Sequence, residues 1–405
     1  MRVLGRPGWR VGEVSAALGA VLVARTAVNG GFRIVYPFLP EVERGLGVSA
    51  ATLGVVLALR ALTWLSAPAV PLLTERVGRR AAMLGGVAAT AVGCLLVAGA
   101  PVFGVAAAGI ILAGLAKPVF DVPMQGWFGD RVPYARRGRV FGATELTWGL
   151  GLALTVPAGA LIAATSWQAP FVLVVAVAVA GFAAVAVLIR PDRPATTVRR
   201  PLRLTRAHVA ILGVVLLFRS AAELLFLSYG RWLETDFGLT VTAIGLFTLV
   251  VVGSELAGEG AVVAFADRIG LRRSILGGLL ASAVAYASLG LVGGSLVGAV
   301  AVVIVWFVAF EITVVATVPF VSELATRSRD RLLSLMVMTN AVAIAVASLV
   351  AAPVFSAVGI AGAGLVAAAC VLAAVPLLLF VPSPAARAGG GVHTGARGSG
   401  DGGGP

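Results

Sequence analysis

The sequence predicts an all-α membrane protein with twelve transmembrane helices in two pseudo-symmetric six-helix bundles. Three observations predict it. Hydrophobic residues fill 59% of the 405 positions and charged residues 12%, with a mean hydropathy of +1.02. A soluble domain is about half apolar and about a quarter charged, so lipid must be the solvent for much of this chain. The apolar residues also fall into twelve runs, each near the roughly 20 residues a helix needs to cross a bilayer. Short motifs recur at one spacing, 191 or 192 residues, which divides the chain into two equivalent halves.

In chain order the runs lie near 13–37, 50–73, 82–100, 104–127, 140–163, 170–189, 208–230, 242–265, 274–291, 296–320, 332–356 and 360–381. Arg2, Arg6 and Arg10 precede the first run as in a signal peptide. Glu13 and Arg25 interrupt it, and it is long enough to span, so it reads as a retained first helix. Pro101 and Gly293-Gly294 read as tight turns between helices. These runs give an N-terminal bundle at 1–189, a basic cytoplasmic linker at 190–207 with six arginines, a C-terminal bundle at 208–381 and a Gly/Ala-rich disordered cytoplasmic tail at 382–405.

Orientation follows from the basic residues. With the N-terminus inside, 24 of the 31 Lys and Arg fall in cytoplasmic segments. Two, Arg44 and Arg231, fall in outer loops, and the other five lie within spans. That asymmetry places both termini in the cytoplasm and makes this a multi-pass protein of the inner or plasma membrane. It also explains the net charge of +13 without nucleic acid, because no basic, aromatic-interleaved soluble segment is present.

The repeat is read from three matches. Leu46-Gly47-Val48-Ser49 recurs as Phe237-Gly238-Leu239-Thr240, Glu75-Arg76-Val77-Gly78 as Asp267-Arg268-Ile269-Gly270, and Arg139 as Arg331. They imply two bundles of the same orientation with a substrate site between them near the midplane. The chain here resembles the major facilitator superfamily. Glu75-Arg76-Val77-Gly78-Arg79-Arg80 is similar to that family's loop signature G-x-x-x-D-R-x-G-R-R, and Asp267-Arg268-Ile269-Gly270-Leu271-Arg272-Arg273 is its second copy. Pro37-Phe38-Leu39-Pro40 and Arg136-Arg137-Gly138-Arg139 are further likenesses. The signature's leading Gly is Pro71 or Val263, its Asp is Glu75 in the first copy, and Leu271 is an extra residue. Val156-Pro157-Ala158-Gly159 in helix 5 is a shortened form of the Gly-Pro-x-x-Gly-Gly pattern of the family's drug:proton antiporters. The resemblance implies a transporter with helices 1, 4, 7 and 10 around a central cavity. Arginines at the inner helix ends can cap carbonyls and pair with acids across the two halves. Glu75, Arg76, Gly78, Arg79, Arg80, Asp267, Arg268, Gly270, Arg272 and Arg273 are therefore the candidate gating residues.

Eleven ionisable residues fall within spans: Arg25, Arg33, Arg60, Lys117, Asp121, Glu145, Arg219, Glu223, Glu255, Glu259 and Glu311. At about 2.5–3.5 kcal/mol each, facing lipid is prohibitive for the set, so they pair or line a wet cavity. None lies on helices 3, 6, 9 or 12, which read as lipid-facing supports. Lys117 with Asp121 and Arg219 with Glu223 are spaced i,i+4 for intrahelical ion pairs. Glu255 and Glu259 share that spacing with like charge, which suits a proton-carrying site unless basic neighbours neutralise both. Arg25, Asn29 and Arg33 share a face of helix 1, with Arg33 and Arg60 near enough to the outer surface to snorkel. The candidate substrate and proton pathway is Arg25, Asn29, Lys117, Asp121, Glu145, Arg219, Glu223, Glu255, Glu259 and Glu311.

Other chemistries lack their residues. Lys117, the sole lysine, is followed by Pro118, so there is no P-loop. His208 and His393 form no metal motif, no Gly-x-Ser-x-Gly elbow occurs, and Cys94 and Cys370 sit in apolar runs. The chain is expected to be no enzyme, to bind no metal or cofactor, and to be a monomer, the default for this architecture. Its expected partners are a small-molecule substrate, protons and the lipid bilayer. The function expected is secondary active transport by alternating access, as proton-coupled efflux of small amphipathic molecules. Proton-coupled uptake of a nutrient or anion, and a sensor or assembly role without turnover, are the alternatives.

Overall fold

In lipid a backbone polar group has no water to bond, so a long apolar run closes its own i→i−4 ladder. The computed structural model describes residues 11–191, 204–292, 294–324 and 329–382, and there the chain is helix and short connection. The predicted tail beyond residue 382, most of the linker, Gly293 and the arginines before residue 11 lie outside the described residues.

All twelve predicted runs are helical. α1 is Val11–Arg33, followed by a short helix at Leu39–Leu46. α2 is Ala50–Val77, tightened to 3-10 geometry over Thr63–Ala69 around Pro68. α3 is Arg79–Ala98, and α4 is Phe103–Arg131. α5 is Tyr134–Ala153, broken at Leu154 and resumed as Thr155–Ala164. α6 is Ala169–Leu188, α7 Arg206–Phe237, α8 Val241–Ile269, α9 Leu271–Ser288 and α10 Leu296–Leu324. Arg329–Phe380 is 52 residues long, too long for one span at 1.5 Å per residue. Gly359, at φ +62°, divides it into α11 (329–358) and α12 (360–380).

Caps set several boundaries. Ser49 accepts a hydrogen bond from the Thr52 amide at the start of α2. Thr205 and His208 form a reciprocal capping box at the start of α7, which gives His208 a structural role. α1 stops four residues short of the predicted end because Pro37 leads the chain into the short surface helix. α7 runs seven residues past the prediction, to the left-handed C-cap Gly238.

The sequence repeat is also a backbone repeat. Gly47 and Gly238 both sit at φ +63°, and Gly78 and Gly270 at +82° and +88°. Only glycine takes these left-handed turns without strain. Close helix crossings repeat too. A methyl group on Gly86 would lie 2.9 Å from the Phe120 amide nitrogen, where α3 crosses α4. One on Gly278, 192 residues on, would lie 2.8 Å from the Ala309 carbonyl oxygen, where α9 crosses α10. Such small-residue contacts let helices pack in a bilayer without a hydrophobic drive. α3, α6, α9 and α12 expose apolar side chains such as Val92, Val179, Val284 and Leu365 on the outside of the bundle.

The two halves meet along two seams of small residues. In the first, Gly54, Ala58 and Ala61 of α2 face Ser348, Ile344 and Ala345 of α11. In the second, Gly159 of α5 approaches the Val241 carbonyl and Gly245 of α8 approaches that of Thr155. Both seams lie towards the face opposite the arginine-rich loops. There Pro37 packs on Gly230, Arg231 pairs with Glu43, and Arg44 pairs with Glu234 at 2.7 Å. Towards the basic face the side chains between the halves become more exposed, Glu145 reaching 52% against 2% for Glu255. The halves are therefore held together at the face opposite the arginine-rich loops.

Candidate functional site

Helix periodicity puts residues three or four apart on one face. In α1 and just beyond it, Arg25, Asn29, Arg33 and Tyr36 keep that spacing and form a buried polar stripe. The stripe bonds α4 and α5 at one end and reaches α8 and α7 at the other.

The first two rungs tie α1 to α4 and α5. Arg25 donates from Nε to Asp121 at 2.9 Å, and from Nη1 to Glu145 at 3.0 Å and the Thr144 carbonyl at 2.5 Å. Lys117 donates to the other Asp121 oxygen at 2.7 Å and to Asn29 Oδ1 at 2.8 Å. Asn29 in turn donates to Thr147 at 3.1 Å. Asp121 thus sits between two cations, and the predicted Lys117–Asp121 pair becomes one part of a triad.

The next rungs cross between the halves. Arg33 makes a two-pronged contact with Glu255 of α8, at 3.0 and 2.5 Å, and also donates to the Trp148 carbonyl at 3.0 Å. Both partners are almost wholly buried, at 3% and 2%. The planar guanidinium suits this bidentate grip. The Tyr36 hydroxyl donates to Glu223 of α7 at 2.6 Å and accepts from Arg60 at 2.7 Å. Arg60 also donates to the Phe32 carbonyl at 2.7 Å and lies over the Phe32 ring. Arg219 is 3.6 Å from Glu223 on its own helix.

A narrow cavity lies between these rungs. Its charged wall is Arg33, Arg219, Glu223 and Glu255. Its apolar wall is aromatic, including Trp148 of α5, Phe226 of α7 and Trp306, Phe307 and Phe310 of α10. A lining that is mostly apolar with a few convergent polar groups is the usual form of a small-molecule site. Arg33 stacks over Trp148 at 4.3 Å and Arg219 over Phe310 at 5.2 Å, so the rings also shield the charges. Among the described residues no group of three His, Cys, Asp or Glu side chains is placed to hold a metal ion.

Two predicted acids stand apart. Glu259 lies one turn beyond Glu255 towards the basic face and is partly exposed. Glu311 of α10 is buried, packed against Gly258, with Glu255, Glu259, Arg33 and Arg219 as its charged neighbours. Among the described residues neither carboxylate has a hydrogen bond or ion pair. Glu255 and Glu259 do share a face, as their spacing requires, but Arg33 holds Glu255.

The loop-signature residues lie at the basic ends of α2, α3, α8 and α9, away from the cavity. Gly78 and Gly270 make the two turns. Arg79 donates to the Gly126 carbonyl and to Asp130 at the end of α4, Arg80 to the Ala186 carbonyl of α6, and Arg272 to the Leu379 carbonyl of α12. These bonds cap helix ends inside each half. Glu75 is partly buried, and Arg76, Arg268 and Arg273 are exposed. The side chain of Asp267 lies outside the described residues.

Arg33 and Arg60 differ from expectation. Instead of snorkelling they are 2% and 1% exposed, because the chain beyond Arg33 folds back through Tyr36 onto α7 and covers both. Nothing in the sequence marked Trp148 or Trp306. One consequence is graded: Glu145 is half exposed, and Arg25 keeps Asp121 without it. Glu145→Gln is expected to cost no more than about 1 kcal/mol, read as a small change in the thermal unfolding midpoint.

Residues 21–232 match the family model described as Major Facilitator Superfamily. The uncharacterized MFS-type transporter YwfA of Bacillus subtilis is 25% identical, over 86% of this chain and 87% of its own length. The class C tetracycline resistance protein of Escherichia coli is 26% identical, over 67% of this chain and 72% of its own. A crystal structure of a POT family transporter with 5-aminolevulinic acid superposes with a TM-score of 0.74 at 15% identity, covering 91% of this chain and 96% of the other. A second, with a thioalcohol-conjugated peptide, gives 0.73 at the same identity and coverage. The family match spans more than half of the chain and the twelve-helix fold agrees with it: this multi-pass membrane protein belongs to the Major Facilitator Superfamily of transporters.

Proposed function

We propose that the protein is a proton-coupled exporter of small amphipathic molecules, working by alternating access. The observation that carries the proposal is the central cavity. It is aromatic, it lies between the halves, and the Arg33–Glu255 pair that closes it joins one half to the other. Glu311 and Glu259, carboxylates without a bonded partner beside that pair, are the proton carriers in this reading. Protonation of either changes the charge facing Arg33 and Arg219, and so the relative free energy of the paired and separated halves. The bundles at 1–189 and 208–381 rock about the small-residue seams, joined by the linker at 190–207, and the tail at 382–405 takes no part.

The basic face is assigned to the cytoplasm of a cell-membrane protein, with both termini there. The halves are then held together at the outer face, and the cleft is assigned to load cargo from the cell. Resistance to tetracycline, the property named in the Escherichia coli relative, fits export of a compact amphipathic compound. The loop-signature residues Glu75, Arg76, Arg79, Arg80, Asp267, Arg268, Arg272 and Arg273 are assigned to closing the basic face in the opposite state. The working unit is a monomer, since each chain holds both halves of its cleft.

The test is transport by purified protein in liposomes under an imposed pH gradient. Substrate moving against the proton flow, and losing that coupling in Glu311→Gln or Glu259→Gln, is the expected result. Movement with the protons makes the protein a symporter suited to uptake. Movement indifferent to the gradient removes proton coupling.

A further inference from the structure

We infer that Arg219 is the anion-binding residue of the central cavity, and that the substrate carries an acidic oxygen group on an aromatic or conjugated frame. The inference rests on the reading of that cavity as the substrate site and names the chemistry it accepts.

The other intramembrane cations are already bonded. Arg25 donates to Asp121, Glu145 and the Thr144 carbonyl, and Lys117 to Asp121 and Asn29. Arg60 donates to the Phe32 carbonyl and Tyr36, and Arg33 to both Glu255 oxygens and the Trp148 carbonyl. Arg219 is the exception. Among the described residues it makes no hydrogen bond, and its one ion pair, with Glu223, is 3.6 Å long. Glu223 gives its other oxygen, Oε1, to the Tyr36 hydroxyl at 2.6 Å, and its Oε2 stays beyond hydrogen-bond reach of Arg219. A guanidinium has five N–H donors in a fixed fork. Arg219 therefore presents an unused fork, only 15% exposed, to a cavity it lines.

Arg33 gives a second, independent indication. Its Nε is buried without an acceptor, in a side chain that lines the same cavity. Buried donors without acceptors are costly, and a ligand that supplies them gains what water cannot fully provide in a narrow apolar space. A carboxylate or phenolate matches the fork of Arg219 in shape and charge. The rest of the ligand meets rings: the Arg219 guanidinium lies over the Phe310 ring at 5.2 Å, and Phe226, Phe307 and Trp306 continue that wall. A planar conjugated frame stacks there, while a flexible aliphatic acid gains little.

The experiment titrates purified wild-type protein in nanodiscs with 2-naphthoate, the trimethyl(2-naphthyl)ammonium cation and neutral 2-methylnaphthalene, reading quenching of tryptophan fluorescence. Wild type is expected to prefer naphthoate over the cation by roughly tenfold or more, as one charge-assisted fork contact implies. Arg219→Gln should erase that preference while keeping the affinity for the neutral compound, and Arg219→Lys should restore part of it. The wild-type comparison needs no variant, so a misfolded mutant does not blunt the test. If naphthoate and the cation bind equally, or Arg219→Gln binds naphthoate as well as wild type does, the inference is overturned while the cavity stands. If none of the three binds, both the inference and the cavity reading are overturned.

Discussion

Glu255→Ala is expected to destabilise the protein by about 3–5 kcal/mol and to abolish transport, because it leaves the Arg33 guanidinium buried and uncompensated. The pair lies between α1 and α8 with both side chains almost fully buried, so solvent does not screen the loss. Arg33 retains the Trp148 carbonyl, the Trp148 and Phe226 faces and the nearby but unbonded Glu311. A second substitution separates stability from function. Arg33→Met in the Glu255→Ala background removes the stranded charge, and most of the lost stability should return. Transport should not, since the contact that joins the halves is gone. Thermal unfolding in detergent reads the first effect and proteoliposome flux the second. Unfolding of Glu255→Ala at the wild-type temperature would mean that water reaches Arg33.

Asp121→Asn is expected to be as severe, for a different reason. The Asp121 carboxylate lies 2.9 Å from Arg25 Nε and 2.7 Å from Lys117 Nζ. Neutralising it sets two cations against each other inside the membrane, with only the half-exposed Glu145 as counter-charge. A loss of about 3–5 kcal/mol is again expected, and Lys117→Met should recover much of it by removing one of the cations. A small effect of Asp121→Asn on the unfolding midpoint would assign the charge balance to Glu145 instead. The two sites share α1 but no partner, and Arg25 and Arg33 are about 12 Å apart at ~1.5 Å per residue. The losses from Glu255→Ala and Asp121→Asn should therefore add to within about 0.5 kcal/mol.

Much of this architecture was legible because membrane insertion writes strong signals. Span length, the bias of arginine and the recurrence of Gly47/Gly238 and Gly78/Gly270 each follow from a constraint that a sequence shows directly. The site was legible by residue type and less so by partner. That Lys117 and Asp121 are neighbours follows from helix geometry alone. That Arg25 completes a triad with them, or that Arg33 takes Glu255 from Glu259, depends on how α1 is rotated against α4 and α8, and no local signal sets that rotation. Arg33 and Arg60 were misplaced because hydropathy measures distance from a span's end, whereas burial there depends on what folds over it. Here Tyr36 does so, a residue with no charge and no motif to draw notice.

The seams between the halves bear on how fast the molecule can change state. At Gly54 the α2 backbone meets the Ser348 carbonyl, and Ala58 and Ala61 set only methyl groups against Ile344 and Ala345. Such a surface behaves as a plain bearing, with little friction from unpicking and refitting knobs. The activation barrier to rocking then resides mainly in a few directional bonds, Arg33 to Glu255 and Tyr36 to Glu223 foremost. Turnover in such a machine is timed by its latches, and enlarging Ala58 or Ala61 would add a second, mechanical brake where the chain has none.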